Sequence, residues 1–365
     1  MFDWIPVSNY SAIYYHFMFF VMIITLIHAY QNNLFSPITY TFSVQTGFFV
    51  LIFVGLYMSS RPIDGIAFGD MDTYAKTYRL IQNNNAIVVK KDYLFNYFMI
   101  FCTKIMNVRW FFFLCGVIYI VPCYLFSKKY SGVYWYFTFF TFIGSYMFWP
   151  YGTNGIRNGI ATSVFILALY FYQKKILLYS FIALSFFIHN SLLIPIIAFI
   201  ATTFYKKPHM YLYIWMAAIP LSLVGGSFWE GLFGSFGFGD DTRAADYLTG
   251  GNVNSNQFSS TGFRWDFLFY SSFAVFAGWY YIFKKQVQDR FYIHLWGTYM
   301  IANAFWILVI RANFSNRFAY LSWFLMAPVI AYPLLRYQIF PNQYRVVGGV
   351  ISIYYLFTYL MFLKG

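Results

Sequence analysis

Residues 128–175 read KKYSGVYWYFTFFTFIGSYMFWPYGTNGIRNGIATSVFILALYFYQKK. Two apolar runs flank a glycine-rich turn that holds one arginine, and a lysine doublet closes each outer edge. Runs of roughly 18 or more apolar residues are the length that crosses a bilayer. A lysine doublet at a helix end is the usual cytoplasmic anchor. Lys128-Lys129 and Lys174-Lys175 therefore mark one side of a membrane, and Arg157 marks the other.

The same two kinds of connector alternate along the rest of the chain. Lys206-Lys207, Lys284-Lys285 and the Arg336/Arg345 connector fall on the lysine side. Arg61 with Asp64, Asp70 and Asp72 falls on the far side, as do Arg243 with Asp240, Asp241 and Asp246, Arg264 with Asp266, and Arg311 and Arg317. Asp289 is the single acid on the lysine side; the other ten of the 11 acidic residues fall opposite. Arginine on the outer side runs against the positive-inside tendency, so topology does not explain it. Its fork grips phosphate and carboxylate in bidentate fashion. The outer face thus reads as a site for an anionic, phosphate-bearing ligand.

Composition fixes the class. The chain has 365 residues, 61% hydrophobic and 10% charged, and no soluble domain of this length looks like that. Aromatics make up 26%, mostly Phe and Tyr, suited to interfaces and half-wet cavities. The net charge of +13 is not a nucleic-acid signal, because about half of it is topological lysine beside an anionic leaflet. Cys102, Cys115 and Cys123 lie in or beside apolar runs without metal-ligand spacing and read as packing residues. Met1 to Asn9 lacks the basic start of a cleavable signal, so the first run is expected to be a retained helix.

The pattern predicts an all-α polytopic membrane protein, residues 1–365 forming one transmembrane domain. Twelve spans are expected near 12–30, 40–58, 110–126, 130–149, 156–172, 176–188, 190–204, 210–228, 266–283, 291–310, 317–334 and 346–363. Residues 92–107 place Asp92, Asn96, Thr103 and Asn107 in one polar stripe, which predicts an external helix lying in the interface. External loops 59–109 and 225–265 are expected to contribute to the active-site cavity. The second is rich in Gly, Ser and Asn, with aromatics able to stack on a sugar ring.

Four stretches put charged or titratable groups where a helix meets the outer face. They are Ser60-Arg61-Pro62 leading to Gly69-Asp70-Met71-Asp72-Thr73-Tyr74; residues 151–159, with Asn154 and Arg157; Phe187-Ile188-His189-Asn190-Ser191; and residues 311–320, with Arg311, Arg317 and Tyr320. An ionised side chain near hydrocarbon depth faces a cavity or a partner, or else snorkels to headgroups. Gly152, Gly155 and Gly159 around Arg157 suggest open backbone space that admits a bulky ligand group. His189 is suited to taking a proton from a hydroxyl or donating to a phosphate, although a lone histidine is more often a satisfied polar residue. Asp70 and Asp72, two apart in a loop, suit orientation of a hydroxyl, general base work or a divalent cation; a salt bridge to Arg61 or Arg79 is the bland reading. Two carboxylates alone do not make a metal site, and no metal is assigned.

Taken in order, Arg61…Gly69-Asp70…Tyr74, Ile156-Arg157-Asn158-Gly159-Ile160-Ala161, Phe187-Ile188-His189-Asn190-Ser191, Gly262-Phe263-Arg264-Trp265-Asp266-Phe267 and Arg317-Phe318-Ala319-Tyr320 resemble the motifs of EpsG/Wzy-type polysaccharide polymerases. The resemblance spans about residues 40–335. It departs at Asn158, where the family often has glutamine, and at Gly69-Asp70, which lacks the family's intervening threonine. It implies a GT-C-like glycosyltransferase of the bacterial inner membrane. Such an enzyme joins repeat units carried on undecaprenyl pyrophosphate at the periplasmic or outer face, for O-antigen, capsule or exopolysaccharide. Donor and acceptor are both lipid-linked oligosaccharides, membrane lipid surrounds the site, a chain-length regulator is a candidate partner, and neither cofactor nor nucleic acid is required. On this scheme Arg157, Arg264 and Arg317 grip pyrophosphate, His189 or Asp70 activates the acceptor hydroxyl, and Arg61 and Arg311 support a lipid site. Asp72, Tyr74, Asn154 and Tyr320 complete the substrate contacts.

Two other classes compete. A membrane O-acyltransferase would draw its donor from the cytoplasm and place its histidine on that side, whereas His189 lies opposite. A flippase would spread charge along a central pathway, whereas here charge clusters at one surface.

Overall fold

Some helix starts in this chain are set by short polar side chains that accept the backbone N–H groups left unpaired in the first turn. The computed structural model describes residues 2, 4–84, 89, 91–233, 262–312 and 315–364, and among these every regular element is helical. Ser36 opens α2 (Pro37–Ser59), with Pro37 preset for the first turn. Asp64 opens the short α3 (Gly65–Phe68), and Asn107 opens α6 (Val108–Ser131) by accepting the N–H groups of Arg109 and Trp110. The expected roles of Asp240, Asp241, Arg243 and Asp246, and of most of the 225–265 loop, lie outside the described residues.

The chain divides into two compact units: Met1–Leu192 with Leu334–Gly365, and Leu193–Pro333. The first holds α1 (Val7–Gln31), α2, α3, α4 (Met71–Gln82), α5 (Tyr93–Thr103), α6, α7 (Trp135–Ile143), α8 (Phe148–Thr153), α9 (Ile156–Tyr170), α10 (Lys175–Ile188) and the last helix (Gln343–Lys364). Side-chain bonds fix their directions. Tyr10 and Tyr57 each donate to the other's carbonyl, at 2.7 and 2.9 Å, so α1 begins where α2 ends. The Ser43 hydroxyl donates to the Val133 carbonyl at 2.8 Å, which sets α2 antiparallel to α6. Ser163 donates to the carbonyl of Tyr119 and Tyr130 to that of Leu169, so α6 and α9 run parallel. Lys129 donates to the Tyr170 carbonyl at their shared end. His28 meets the Tyr344 hydroxyl at 2.7 Å, bringing the last helix back to the end of α1.

These directions sort the charges of the unit. Lys128, Lys129, Lys174, Lys175 and Arg345 share one end. Every described side-chain carboxylate of the unit, Asp64, Asp70, Asp72 and Asp92, lies at the other with Arg61 and Arg157. Not every lysine follows this sorting: Lys76, and Lys91 of the Lys90-Lys91 doublet, accompany the carboxylates.

The second unit holds α11 (Leu193–Phe204), α12 (Pro208–Phe233), α13 (Trp265–Trp279), α14 (Arg290–Leu308), α15 (Ser315–Trp323) and most of α16 (Met326–Arg336). Its centre is polar and satisfied. The buried Asn303 carboxamide accepts the Trp215 indole N–H at 2.7 Å and donates to Ser271 and Ser322 at 3.2 and 2.9 Å. Trp323 also donates to Ser271, at 2.7 Å. One amide thus ties α12, α13, α14 and α15 together. α12 continues to Phe233, beyond the expected 228, although Gly225 is non-helical at φ −124°, ψ 32°.

By length and composition six described stretches suit a bilayer crossing: Val7–Gln31, Pro37–Ser59, Val108–Ile143, Pro208–Phe233, Ser315–Arg336 and Gln343–Lys364. Helices form at the other expected positions too, but several are short. α9 has 15 residues, about 22 Å at 1.5 Å per residue, against a hydrocarbon core of about 30 Å. The breaks before α9 and after α10 fall beside Arg157 and Asp92. The expected span 130–149 stops at Ile143 and resumes as α8. Irregular backbone at membrane depth is tolerated where protein buries it or a cavity receives it.

Loop 59–91 is a correction, since it contains α3 and α4. The stripe over 92–107 is another. Asn107 is the cap of α6, α5 ends at Thr103, and Asp92 is buried rather than wetted. α5 itself buries Phe95, Met99 and Cys102 and exposes Tyr93, Tyr97 and Phe101, a two-faced helix of 11 residues.

Candidate active site

Arg157 stands in the first turn of α9, directly after the break that ends α8. Its guanidinium is held on two edges. Nε donates to the Tyr74 hydroxyl at 2.8 Å, and Nη1 donates to Asp92 Oδ2 at 2.7 Å. Asp92 is 2% exposed, whereas the Arg157 side chain is 30% exposed. The second oxygen of Asp92 accepts the N–H of Asn190 at 3.1 Å and faces His189 Nδ1 at 3.8 Å. The imidazole is seated by its own turn, with Ser191 N–H at 3.4 Å and Ser191 Oγ at 3.3 Å from Nδ1. α4, the start of α5, α9 and the end of α10 therefore meet at one carboxylate.

Burial pushes the Tyr74 phenol up, against the opposing pull of the Arg157 charge, with Asp70 adding to the rise. The hydroxyl stays neutral, so its oxygen accepts the Nε proton of Arg157 while the O–H remains a donor. Asp70 reaches this corner through its backbone: its N–H donates to Asn154 Oδ1 at 2.8 Å. Gly69 makes that approach possible. It sits at φ +51°, and a Cβ there would lie 2.7 Å from the Asn154 carboxamide. Asp72 points elsewhere and pairs with Lys76 at 2.6 Å, so neither Arg61 nor Arg79 is the partner of that ion pair.

Arg61 is 4% exposed and holds two helix ends, donating to the carbonyls of Met58 at 2.8 Å and Thr153 at 3.1 Å. The last turn of a helix carries negative partial charge, and a cation there is favourable. Burial pushes the guanidinium down to about 10, which leaves it charged at neutral pH. Because Thr153 precedes Asn154, Arg61 pins the joint from which Arg157 projects.

The glycines of that joint correct the sequence reading. They do not open space for a ligand. A Cβ at Gly159 would lie 2.4 Å from the Tyr151 carbonyl oxygen, and one at Gly152 would lie 2.3 Å from the Met58 sulfur. They let α8, α9 and α2 approach closely, and protein already fills the room.

Arg264, Arg311, Arg317 and Tyr320 belong to the second unit. Arg264 forms a bidentate pair with Asp266, at 3.0 and 2.8 Å, over the Phe267 ring at 3.6 Å. Arg311 is exposed beside Phe263 and lies 3.4 Å from the Leu223 carbonyl, just before the Gly225 break. Arg317 is exposed in the first turn of α15, and Tyr320 is buried in the same helix.

The family model described as the EpsG family matches residues 65–364. The chain belongs to the EpsG family. No curated protein and no solved structure matches the chain. Membership suggests a polysaccharide polymerase, in agreement with the motif resemblance. The matched region of this EpsG-family protein includes Asp70, Tyr74, Asp92, Arg157, His189, Arg264 and Arg317, and it starts just after Arg61.

Sequence reasoning on this EpsG-family chain missed Asp92, the carboxylate at the centre of the site. Its partner Arg157 lies 65 positions away. The one local signal was an acid set directly after Lys90-Lys91 and directly before an apolar run.

Proposed function

We propose that this protein polymerises lipid-linked oligosaccharide repeat units at the outer face of the bacterial inner membrane. The observation that carries the reading is the Arg157 corner: an arginine fixed by Tyr74 and Asp92 beside His189, at the carboxylate end of a unit whose Lys128-Lys129 and Lys174-Lys175 doublets lie at the other end. The lysine end is taken as cytoplasmic.

In the proposed reaction a hydroxyl of the acceptor's sugar attacks the anomeric carbon of the donor's reducing-end sugar. The new C–O bond forms as the bond from that carbon to the pyrophosphate oxygen breaks. The electron pair leaves with polyprenyl pyrophosphate, and the hydroxyl proton passes to a base. A fixed guanidinium stabilises charge growing on the leaving oxygens without reorganising at the moment of reaction. Arg157 takes that role. His189 or Asp70 receives or orients the hydroxyl proton, with Tyr74 and Asn154 as neighbouring substrate contacts. Arg264, Arg311 and Arg317, with Tyr320, are proposed to grip the pyrophosphate and sugar of a lipid-linked substrate. Arg61 serves the site through the α8–α9 joint.

The test is direct. Purified protein is incubated with one defined lipid-pyrophosphate oligosaccharide, with no added nucleotide. A ladder of products spaced by one repeat unit is expected. Substrate recovered unchanged under conditions where the protein is folded and binds it removes the reading.

A further inference from the structure

We propose that Asp92 is a positioning residue of this site: its carboxylate orients the Arg157 guanidinium and the His189–Ser191 turn, and its charge limits how tightly Arg157 holds a pyrophosphate. The inference rests on the polymerase reading and adds to it a residue that the sequence motifs do not contain.

Geometry excludes the more obvious roles for an acid at this point. A general base must reach the proton it removes. Asp92 is 2% exposed, and its two oxygens already serve Arg157 Nη1 at 2.7 Å and Asn190 N–H at 3.1 Å. It touches the chemistry through Arg157. Together with the Tyr74 bond on Nε, the Asp92 bond fixes the plane of the guanidinium. An arginine left loose would lose rotamer freedom each time it met its ligand. Asp92 itself sits at φ 52°, ψ 45°, in the left-handed region, which is unfavourable for a non-glycine residue. Such a conformation persists where surrounding bonds over-determine it. Here three segments supply those bonds: Asn96 in α5, which donates to the Asp92 carbonyl, the first turn of α9 and the turn after α10.

The charge matters separately. The leaving polyprenyl pyrophosphate carries one more negative charge than the donor it came from. A half-buried arginine with no counter-charge would hold that product strongly. Binding shared by ground state, product and transition state does not raise turnover and can slow release. A carboxylate on Nη1 offsets part of the attraction while preserving direction.

Asp92→Asn separates these effects because it keeps the shape and one acceptor oxygen while removing the charge. The full chain in lipid nanodiscs is given two probes: a sugar-free polyprenyl pyrophosphate for affinity, and the defined lipid-pyrophosphate oligosaccharide for turnover. Affinity for the sugar-free probe is expected to tighten by severalfold to about tenfold, while turnover at saturation falls by about tenfold or more; unchanged affinity overturns the role of the charge. A merely structural role would lower melting temperature, affinity and turnover together. That pattern, or turnover within about twofold of the parent, overturns the proposal. Should Asp92→Asn not accumulate, Asp92→Glu decides. It keeps the charge and moves it by one methylene, so affinity should hold and turnover should drop; parental turnover in Asp92→Glu overturns the orienting role. Arg157→Ala reports on the underlying reading. If that variant binds and polymerises like the parent, the site assignment fails whatever Asp92 does.

Discussion

Two arginine–aspartate pairs in this chain look alike on paper and differ in what they can do. Arg264 and Asp266 are two positions apart, and the fork meets the carboxylate on both prongs. Such a pair needs little from the fold and neutralises the arginine locally. Arg157 and Asp92 lie 65 positions apart and share one short bond, and Tyr74 takes a different edge of the same guanidinium. That arrangement exists only once α4, the start of α5 and α9 are in place. A charge paired within one turn is a property of the sequence. A charge oriented by three elements is a property of the fold, and it is the kind that preorganised catalysis requires.

The comparison breaks most sharply on alanine. Arg157→Ala should reduce polymer by about a hundredfold to a thousandfold, the scale seen when one preorganised donor is removed from a charged transition state. Arg264→Ala should cost about tenfold or less, because a phosphate must first displace Asp266 to use it. Polymer length and yield in cells, normalised to protein recovered from membranes, make the measurement. Equal losses from the two variants would mean that the local pair opens in use and that the contrast drawn from geometry is wrong.

A second test moves one joint away. Arg61→Ala removes two charge-assisted bonds to helix ends, worth roughly 1.5–3 kcal/mol each. It should show first as lower protein level and melting temperature, with loss of polymer following in proportion. Parental stability with lost polymer would instead put Arg61 against the substrate, as the sequence motif suggested.

How much of this was legible follows from what each signal depends on. Helix positions were readable because apolar runs are local; the Ser36 cap, which starts α2 at Pro37 rather than near residue 40, was not read. The sorting of Lys128-Lys129 and Lys174-Lys175 from the carboxylates was readable because helices alternate direction, and Lys90-Lys91 beside Asp92 does not follow it. Arg157 and His189 stood out as polar groups between apolar runs. Asp92 did not, since its burial depends on residues 65 and 98 positions away. The glycines around Arg157 were misjudged for the same reason. A glycine signals close approach to something, and the sequence does not say whether that is ligand or the Tyr151 carbonyl. Helix α4 was hidden by its own polarity: a helix of polar and aromatic residues in a connector looks like loop until its packing partners are known.

Within the Arg157 corner, Tyr74→Phe gives a smaller effect. It deletes the oxygen that accepts from Nε and leaves the ring 5.6 Å from the guanidinium carbon. Losing one such bond is worth about 1 kcal/mol, so turnover should fall by about fivefold to tenfold with stability nearly unchanged. No change at all would show that Asp92 alone is enough to fix the arginine.

The smallest effect separates two acids that the sequence presents as a pair. Asp72 is in the first turn of α4, bridged to Lys76 four residues on, and both side chains are well exposed. An exposed bridge of this kind contributes about 0.3–0.5 kcal/mol, and a carboxylate near a helix start a similar amount. Asp72→Asn should therefore leave polymer within about twofold of the parent. Asp70 differs although it is two residues away. Its backbone is bonded to Asn154 at the α8–α9 joint, and its charge reaches the Tyr74 phenol. Asp70→Asn should cost about tenfold, the lower part of the range for a group acting on proton transfer. Measuring both variants in one assay turns spacing in the sequence into direction in the structure. If Asp72→Asn proved as damaging as Asp70→Asn, the exposed side of α4 would have to face the substrate, and the site would extend outward from Arg157 along that helix.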